Sequence, residues 1–225
     1  MFTIAVPTLL MVPATLFICG LKNTEKNTSV KPKMENAGIS DLFKRAFKNR
    51  SYIFIVLGFF TCGFHMALIT NHLPTQITSY GMSSDTTAAI FSVYGVATMI
   101  GAFLVGIMCS KFKMKNVLGT LYGSRTVMII LFFIMPKTVP VITAYVLLLG
   151  FTGASTVSPV SGICGELFGP RGLSILFNLA FLVHQFGSFL SAWLGGICFD
   201  AFGSYNAIWI IDAAFCILAS SISYM

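Results

Sequence analysis

Residues 52–71 read YIFIVLGFFTCGFHMALITN. This stretch contains no aspartate, glutamate, lysine or arginine over twenty residues. A bilayer core about 30 Å thick is crossed by a helix of roughly 20 mainly apolar residues. The stretch is therefore predicted to be a membrane-spanning helix, and this decides the class of the protein.

Six further apolar runs of similar length occur along the chain. The seven predicted spans are 2–21, 52–71, 87–109, 117–135, 139–162, 173–197 and 206–224. Together they occupy well over half of the 225 residues and leave no room for a soluble domain. The expected fold is all-α, a polytopic membrane protein with seven transmembrane helices.

The overall composition supports this class. The chain is 56% hydrophobic and 9% charged with a mean hydropathy of +0.86, whereas soluble domains carry about 25% charged residues. An ordinary cytosolic enzyme is excluded, and the 22 phenylalanines exclude intrinsic disorder. The net charge of +7 resides in polar gaps between apolar runs, so no nucleic-acid partner is expected.

Sequence motifs for chemistry are missing. The six cysteines are far apart and form no CxxC pair, so they are expected to pack as small hydrophobic residues. The chain contains no GxSxG, P-loop, HExxH or GxGxxG motif. We therefore expect no metal, no cofactor and no enzymatic activity.

The positive charges predict the orientation in the membrane. Segments 22–50, 110–116 and 163–172 hold twelve lysines and arginines, whereas the alternating gaps hold only Lys137. Basic loops stay on the cytoplasmic side of a membrane. The prediction is an N-terminus outside and a C-terminus in the cytoplasm.

The spacing of the spans divides the chain into three parts. These are a single transmembrane helix at 1–21, a cytoplasmic basic linker at 22–50 and a six-helix unit at 51–225. The linker ends with DLFKRAFKNR at 41–50. That piece is either a basic amphipathic segment at the membrane surface or a plain solvated linker, and the sequence leaves both open.

Three stretches carry a resemblance to a known family. The residues GAFLVGIMCSKFKMK at 101–115 resemble the cytoplasmic loop motif of the major facilitator superfamily, in which Gly106, Lys111 and Lys115 fit. The motif's acid is replaced by serine, its glycine by lysine and one basic residue by methionine. Segments 58–74 and 182–205 look like bacterial members related to monocarboxylate and oxalate–formate carriers.

The resemblance implies both a fold and a function. The seven spans would correspond to the family's helices six to twelve, and 51–225 to its C-terminal six-helix half. Full-length carriers have two such halves around a central cavity. The implied function is secondary active transport of a small solute, with an organic anion as one candidate, in the cytoplasmic (inner) membrane. We expect a truncated carrier, or one that pairs with a second half, which does not transport as a monomer.

Polar side chains inside the predicted spans are the candidate substrate-binding residues, because such groups are costly in lipid. The candidates are His65, His72, Tyr94, Arg125, His184 and Gln185. Histidine titrates near physiological pH, so His65 and His184, if they face a shared aqueous cavity, could couple a proton to the solute. The alternative for each histidine is a plain hydrogen bond between helices.

Arg125 has two interpretations in the sequence. It could attract a carboxylate, or its long side chain could extend towards the cytoplasmic surface. A direct pair with Asp212 is marginal because roughly 8 Å of depth separates the two. The resembled carriers often bind substrate through an arginine on the span at 87–109, which has none here. This departure weighs against a monocarboxylate substrate.

Two other classes of function compete with transport. A seven-helix receptor or sensor fits the number of spans and the outside N-terminus, but the loop at 106–115 and the long first linker weigh against it. An intramembrane enzyme is the third class. No pair of acids or Ser/His arrangement at helical spacing supports it.

Overall fold

The computed structural model describes residues 39–225, which are helical apart from short connections. The predicted first span at 2–21 and residues 22–38 of the linker lie outside the described residues. The helices are α1 (Ile39–Lys48), α2 (Arg50–Ala67), α3 (Leu73–Ser79), α4 (Ser84–Lys111), α5 (Met114–Ile134), α6 (Val139–Thr152), α7 (Val157–Phe202) and α8 (Asn206–Tyr224). A π-turn occupies Leu68–His72 and a 3₁₀ turn occupies Ala154–Thr156.

Five helical stretches of the described chain are long and apolar enough to cross a membrane. They are Arg50–Ser79, Ser84–Lys111, Met114–Ile134, Val139–Phe202 and Asn206–Tyr224. The chain is therefore an all-helical polytopic membrane protein, as expected. The predicted number of seven spans is not matched, because the sequence places six separate spans within residues 39–225 and the structure has five continuous stretches there.

The longest stretch, Val139–Phe202, explains this difference. Its 64 residues would extend about 96 Å as one straight helix at about 1.5 Å per residue, three times the thickness of a bilayer core. Gly169 interrupts it with φ 70° and ψ −179°, and Pro170 follows. Each side of Gly169 is long enough for one crossing.

The loop predicted at 163–172 is consequently wrong in its extent. Residues on both sides of Gly169 are helical, and a kink at this one residue replaces the ten-residue loop. The physical reason lies in Gly169 and Pro170. Glycine adopts a positive φ without steric cost, and proline is well placed in the first turn of a new helix.

The first described span also runs further than predicted. It continues past residue 71 through the π-turn into α3, and it ends at Ser79. Pro74 lies in the first turn of α3, where its missing N–H is not needed. Leu73 and Ile77 stay fully buried, so the apolar face continues through the π-turn. The gap predicted at 72–86 shrinks to the short connection between α3 and α4.

Helix α2 packs closely against the part of α7 that follows Gly169. A Cβ atom added at Gly63 would overlap the backbone carbonyl of His184, and one at Gly187 would overlap that of Phe60. Small residues let membrane helices approach in this way. The pattern predicted as a packing face, Gly187, Ser191 and Gly195, is buried throughout.

Candidate functional site

A fully buried hydrogen-bonded pair of a histidine and an aspartate joins α2 to α8. His65 Nδ1 lies 2.5 Å from Asp212 Oδ2, and neither side chain has any exposed surface. The Sγ atom of Cys216, one turn further along α8, lies 3.9 Å from Asp212 Oδ1. A charged group inside a membrane protein is tolerated when it has a partner of this kind. The pair therefore ties the first and last described crossings together.

The same three side chains are of the types that bind transition metals. The ligand atoms of His65, Asp212 and Cys216 all lie within 4.8 Å of one another, and imidazole, carboxylate and thiolate are zinc ligands. Two ligand atoms on one zinc ion, each about 2 Å from the metal, stand about 3 Å apart or more. The contact between His65 and Asp212 is shorter than this and is that of a direct hydrogen bond, so the two side chains are bonded to each other and not arranged around a metal ion.

Arg125 lies fully buried on α5, and its guanidinium binds backbone carbonyl groups at the C-terminal end of α6. Its Nη2 donates to the carbonyl oxygens of Thr152 at 2.6 Å and Gly153 at 2.9 Å. Gly153 leaves the helical conformation there with φ −56° and ψ −86°. A helix end in a membrane leaves carbonyl groups that need donors. The guanidinium supplies them, and it does not extend to the surface as one sequence interpretation allowed.

The charge of Arg125 has no carboxylate partner in the structure. Across residues 39–225 no aspartate or glutamate lies within ion-pair distance of it. Its Nε and Nη1 atoms are buried and make no hydrogen bond to a described group, and the guanidinium lies over the Tyr122 ring, 5.4 Å from the ring centre. Asp212, the acid weighed as its partner, is paired with His65 instead. A buried cation with free donors is a group that an anion could bind.

Two more polar side chains reach the broken helix at Gly153. The Tyr94 hydroxyl on α4 donates to Met66 Sδ at 3.6 Å, and a Cβ placed at Gly153 would lie 3.1 Å from that hydroxyl. Cys62 Sγ lies 2.9 Å from Thr156 Oγ1 and 4.0 Å from the Gly153 carbonyl. Three side chains therefore lie next to the helix interruption at Gly153: Cys62 of α2, Tyr94 of α4 and Arg125 of α5. We call these three residues, together with Gly153, the Gly153 cluster.

His184 and Gln185 lie on α7 beside this cluster. His184 is half-buried with its ring 4.6 Å from that of Phe59 and stacked on Phe181 at 5.2 Å. Its Nδ1 lies 3.1 Å from the Oε1 of Gln185, which is exposed. The His184 side chain is also close enough to Cys62 to interact with it. His184 therefore lies at the edge of the Gly153 cluster that is nearer to the exposed surface.

His72 lies apart from the other candidates, in the π-turn. Its Nε2 is 3.1 Å from the Ala192 carbonyl, and its ring packs against Tyr205 at 5.2 Å between centroids. The neighbouring Thr70 and Asn71 are exposed. Such π-turns occur often at functional sites. The exposed Asn71 side chain is a further polar group that the sequence analysis did not select.

The structure thus divides the six predicted residues. Tyr94, Arg125 and His184 meet at the Gly153 cluster, with Gln185 next to His184. His65 is fully buried and paired with Asp212, whereas His184 is half-buried, and a shared aqueous cavity face for the two histidines stays a prediction. His72 belongs to the π-turn. A substrate role for any of the six stays a prediction.

A cavity of about 650 Å³ opens at one end of the bundle, away from the candidates. Its polar rim includes Arg50, Lys113, Lys115 and Glu166. None of the six predicted substrate-binding residues lines it. This cavity belongs to the basic end of the molecule and lies outside the candidate site.

Sequence reasoning missed three components of the site. It missed Asp212 as the partner of His65, Cys62 as the link between His184 and the cluster, and the carbonyl groups that hold Arg125. One signal could have indicated the last of these. The run GFTGAST at 150–156 is rich in small and hydroxyl residues, which is typical of a helix interruption.

Comparisons with known proteins give two relatives and a family. The sequence model of the Major Facilitator Superfamily matches residues 1–146 and 77–225. "Uncharacterized MFS-type transporter YcxA" of Bacillus subtilis (strain 168) is 25% identical over 227 residues, covering 92% of this chain and 50% of that protein. "Uncharacterized transporter YybO" of the same organism is 27% identical over 194 residues, covering 82% and 44%. The chain spans about half the length of these curated relatives.

Proposed function

Because the chain belongs to the Major Facilitator Superfamily, we propose that it carries a small organic anion across the cytoplasmic membrane as part of a secondary transporter. The anion class goes beyond the family membership, and it rests on the chemistry of the Gly153 cluster. The finer assignment to the branch of monocarboxylate and oxalate–formate carriers is part of the same proposal.

The observation that carries this proposal is the state of Arg125. Its guanidinium is fully buried, donates through Nη2 to two backbone carbonyls and lies 5.4 Å from the centre of the Tyr122 ring, and its Nε and Nη1 make no hydrogen bond to the described residues. A carboxylate binds a guanidinium through two parallel hydrogen bonds. The hydroxyl of Tyr94 and the ring of His184 lie on the same cluster and would supply neutral donors. A rearrangement that opens the cluster would let an anion reach these groups.

The half-carrier architecture is the second part of the proposal. If Gly169 separates two crossings, residues 50–224 cross the membrane six times, the number in one half of the family's fold. With the span predicted at 2–21 this makes seven transmembrane helices. We infer that transport requires a second six-helix half. The receptor alternative has no feature within residues 39–225 that favours it.

A thermal-shift experiment tests the anion class. The purified chain in detergent is heated with mono- and dicarboxylates, with neutral sugars and with amines, and the midpoint Tm of unfolding is recorded. We expect Tm to rise with carboxylates only. Arg125→Lys should keep part of the rise, because lysine retains the charge but not the paired donors, and Arg125→Gln should remove it.

The control variant is Lys137→Gln, which removes a charge outside the predicted spans and should leave the carboxylate effect intact. Each variant is compared with its own Tm without solute, so that a general loss of stability does not affect the result. Stabilisation by sugars or amines would contradict the proposal. So would a full carboxylate effect in Arg125→Gln.

A further inference from the structure

Helix α1 lies at the end of the first described crossing and not along its axis. Asn49 separates α1 from α2 with φ −86° and ψ 111°, and its Oδ1 accepts a hydrogen bond from the Tyr52 backbone N–H at 3.2 Å. The membrane-spanning stretch begins at once, at Arg50. A helix that turns away at this point lies at the level of the membrane surface.

One side of α1 is docked on the bundle. Leu42 and Ala46 are buried and pack in a cluster with Tyr52, Phe168 and Leu176. A Cβ atom at Gly172 would come within 3.3 Å of the Leu42 side chain, so the backbone just after the Gly169 kink lies close to α1. The position of α1 is therefore fixed by packing.

A second apolar side of α1 is left uncovered. We call Ile39, Phe43 and Phe47 the outer stripe, of which Phe43 is partly buried against the docked cluster and the other two are exposed. Ile39 is 64% and Phe47 62% exposed, and the rings of Phe43 and Phe47 stack with centroids 6.5 Å apart. At about 100° per residue, the outer stripe is centred about 80° around the helix from Leu42 and Ala46. Two adjacent apolar sides suit a helix lying in the corner between a protein bundle and a lipid surface.

The charges of α1 follow the same arrangement. Lys44 and Lys48 are exposed beside the outer stripe, and no carboxylate of residues 39–225 lies within ion-pair distance of either. Asp41 pairs with Arg45 at 2.9 Å on the far side of the helix. Further basic residues lie at the ends of the neighbouring helices: Arg50, Lys111, Lys113, Lys115 and Arg171. This end of the bundle attracts anions.

We propose that α1 is an anionic-lipid-binding helix. The outer stripe inserts among the acyl chains next to the bundle, and Lys44 and Lys48 bind the phosphate groups of anionic phospholipids. Basic residues close to an anionic membrane surface each strengthen binding by about fivefold. The inference concerns a surface remote from the Gly153 cluster and does not depend on the transported solute.

Photocrosslinking in a bilayer tests this directly. The full chain, with Phe47 replaced by photoreactive benzoylphenylalanine, is reconstituted into vesicles of phosphatidylcholine and phosphatidylglycerol and irradiated. Phe47 is largely exposed, so the replacement leaves the packing of α1 unchanged. We expect lipid adducts at position 47 by mass spectrometry. The matched control places the same group at position 41, about opposite the outer stripe, and should give almost none.

A second measurement tests the role of the lysine charges by comparing the amounts of phosphatidylglycerol and phosphatidylcholine adducts at position 47. In the double variant Lys44→Gln/Lys48→Gln, the ratio of phosphatidylglycerol to phosphatidylcholine adducts should fall by about fivefold or more. Lys137→Gln, a charge outside α1, should leave the ratio unchanged. An unaltered ratio in the double variant would overturn the role of the lysines.

Other occupants of the outer stripe would give other products. Crosslinks from position 47 to residues 1–38 of the same chain, or to a second copy, would show that protein covers the stripe and would overturn the proposal. Equal lipid labelling at positions 41 and 47 would do the same, because it would mean that α1 has no preferred side towards the bilayer.

Discussion

At the scale of single residues, the pair of His65 and Asp212 has the largest consequence for stability. His65→Ala would leave the Asp212 carboxylate buried without its partner. Breaking a buried ion pair by removing one member costs about 3–5 kcal/mol. We expect a loss of this size in the free energy of unfolding, measured by titration with a denaturing detergent.

The control for this prediction is His72→Ala. His72 is half-buried and contacts one backbone carbonyl, so its removal should cost only about 1 kcal/mol. The double variant His65→Ala/Asp212→Ala should lose less than the two single losses added together, because neither charge is then left alone. Equal losses for His65→Ala and His72→Ala would mean that the pair does not stabilise the fold.

A second residue-scale prediction concerns His184, the candidate at the edge of the Gly153 cluster. In an active carrier that contains this chain, His184→Ala should lower the transport rate or change its dependence on pH, because imidazole titrates near neutrality. Phe181→Ala is the matched control, since it removes the stacked ring and leaves the titratable group. Wild-type transport at every pH in His184→Ala would assign His184 to packing alone.

The sequence predicted these residues as polar groups at membrane depth, but it could not predict their partners. His65 and Asp212 are separated by 147 positions, and depth along a helix does not say which way a side chain points. The sequence analysis estimated the difference in membrane depth between Asp212 and Arg125. In the structure, α2 packs against α8 and Asp212 contacts His65 instead. Arg125 binds backbone carbonyl groups. Every residue has such a group, so the residue types do not indicate which carbonyls a buried arginine will bind.

At the scale of the elements, the kink at Gly169 is the position most sensitive to a small change. Gly169→Ala puts a Cβ on a residue with φ 70° and ψ −179°, a conformation essentially confined to glycine, and this costs about 1–3 kcal/mol. We expect that loss in the free energy of unfolding. Gly106→Ala is the control, because Gly106 lies inside α4 and an added Cβ would meet no other helix within 4 Å among residues 39–225. It should be neutral or slightly stabilising, and a loss equal to that of Gly169→Ala would contradict the prediction.

The elements show where hydropathy succeeds and where it fails. The predicted apolar runs within residues 39–225 are helical apart from the interruption at Gly153, because a continuous apolar run of about 20 residues has no other stable form in lipid. Their ends were poorly predicted. Gaps were expected at 72–86 and 163–172, but Pro74 and Pro170 each start a new helical turn there, so the helices run on through much of both segments.

At the scale of the whole molecule, the prediction is the orientation in the membrane. Ser83→Cys, between α3 and α4, should react with a membrane-impermeant maleimide added outside intact cells. Lys113→Cys, between α4 and α5, should react only after the cells are opened. Mass spectrometry assigns the label, because native cysteines are present. The physical reason is the excess of basic residues at the end of the bundle that holds Lys113, and the reverse pattern would overturn it.

The positions of Arg125 and His65 have a consequence for how the chain is made. Helices enter the membrane in the order of their synthesis, and a lone arginine at the centre of an inserting helix costs about 2.5–3.5 kcal/mol. The acceptors of Arg125, at Thr152 and Gly153, are translated after α5 has left the ribosome. His65 is without its partner for longer, until Asp212 on α8 has been synthesised. We therefore expect the early helices to reach their final packing only after α8 has been inserted.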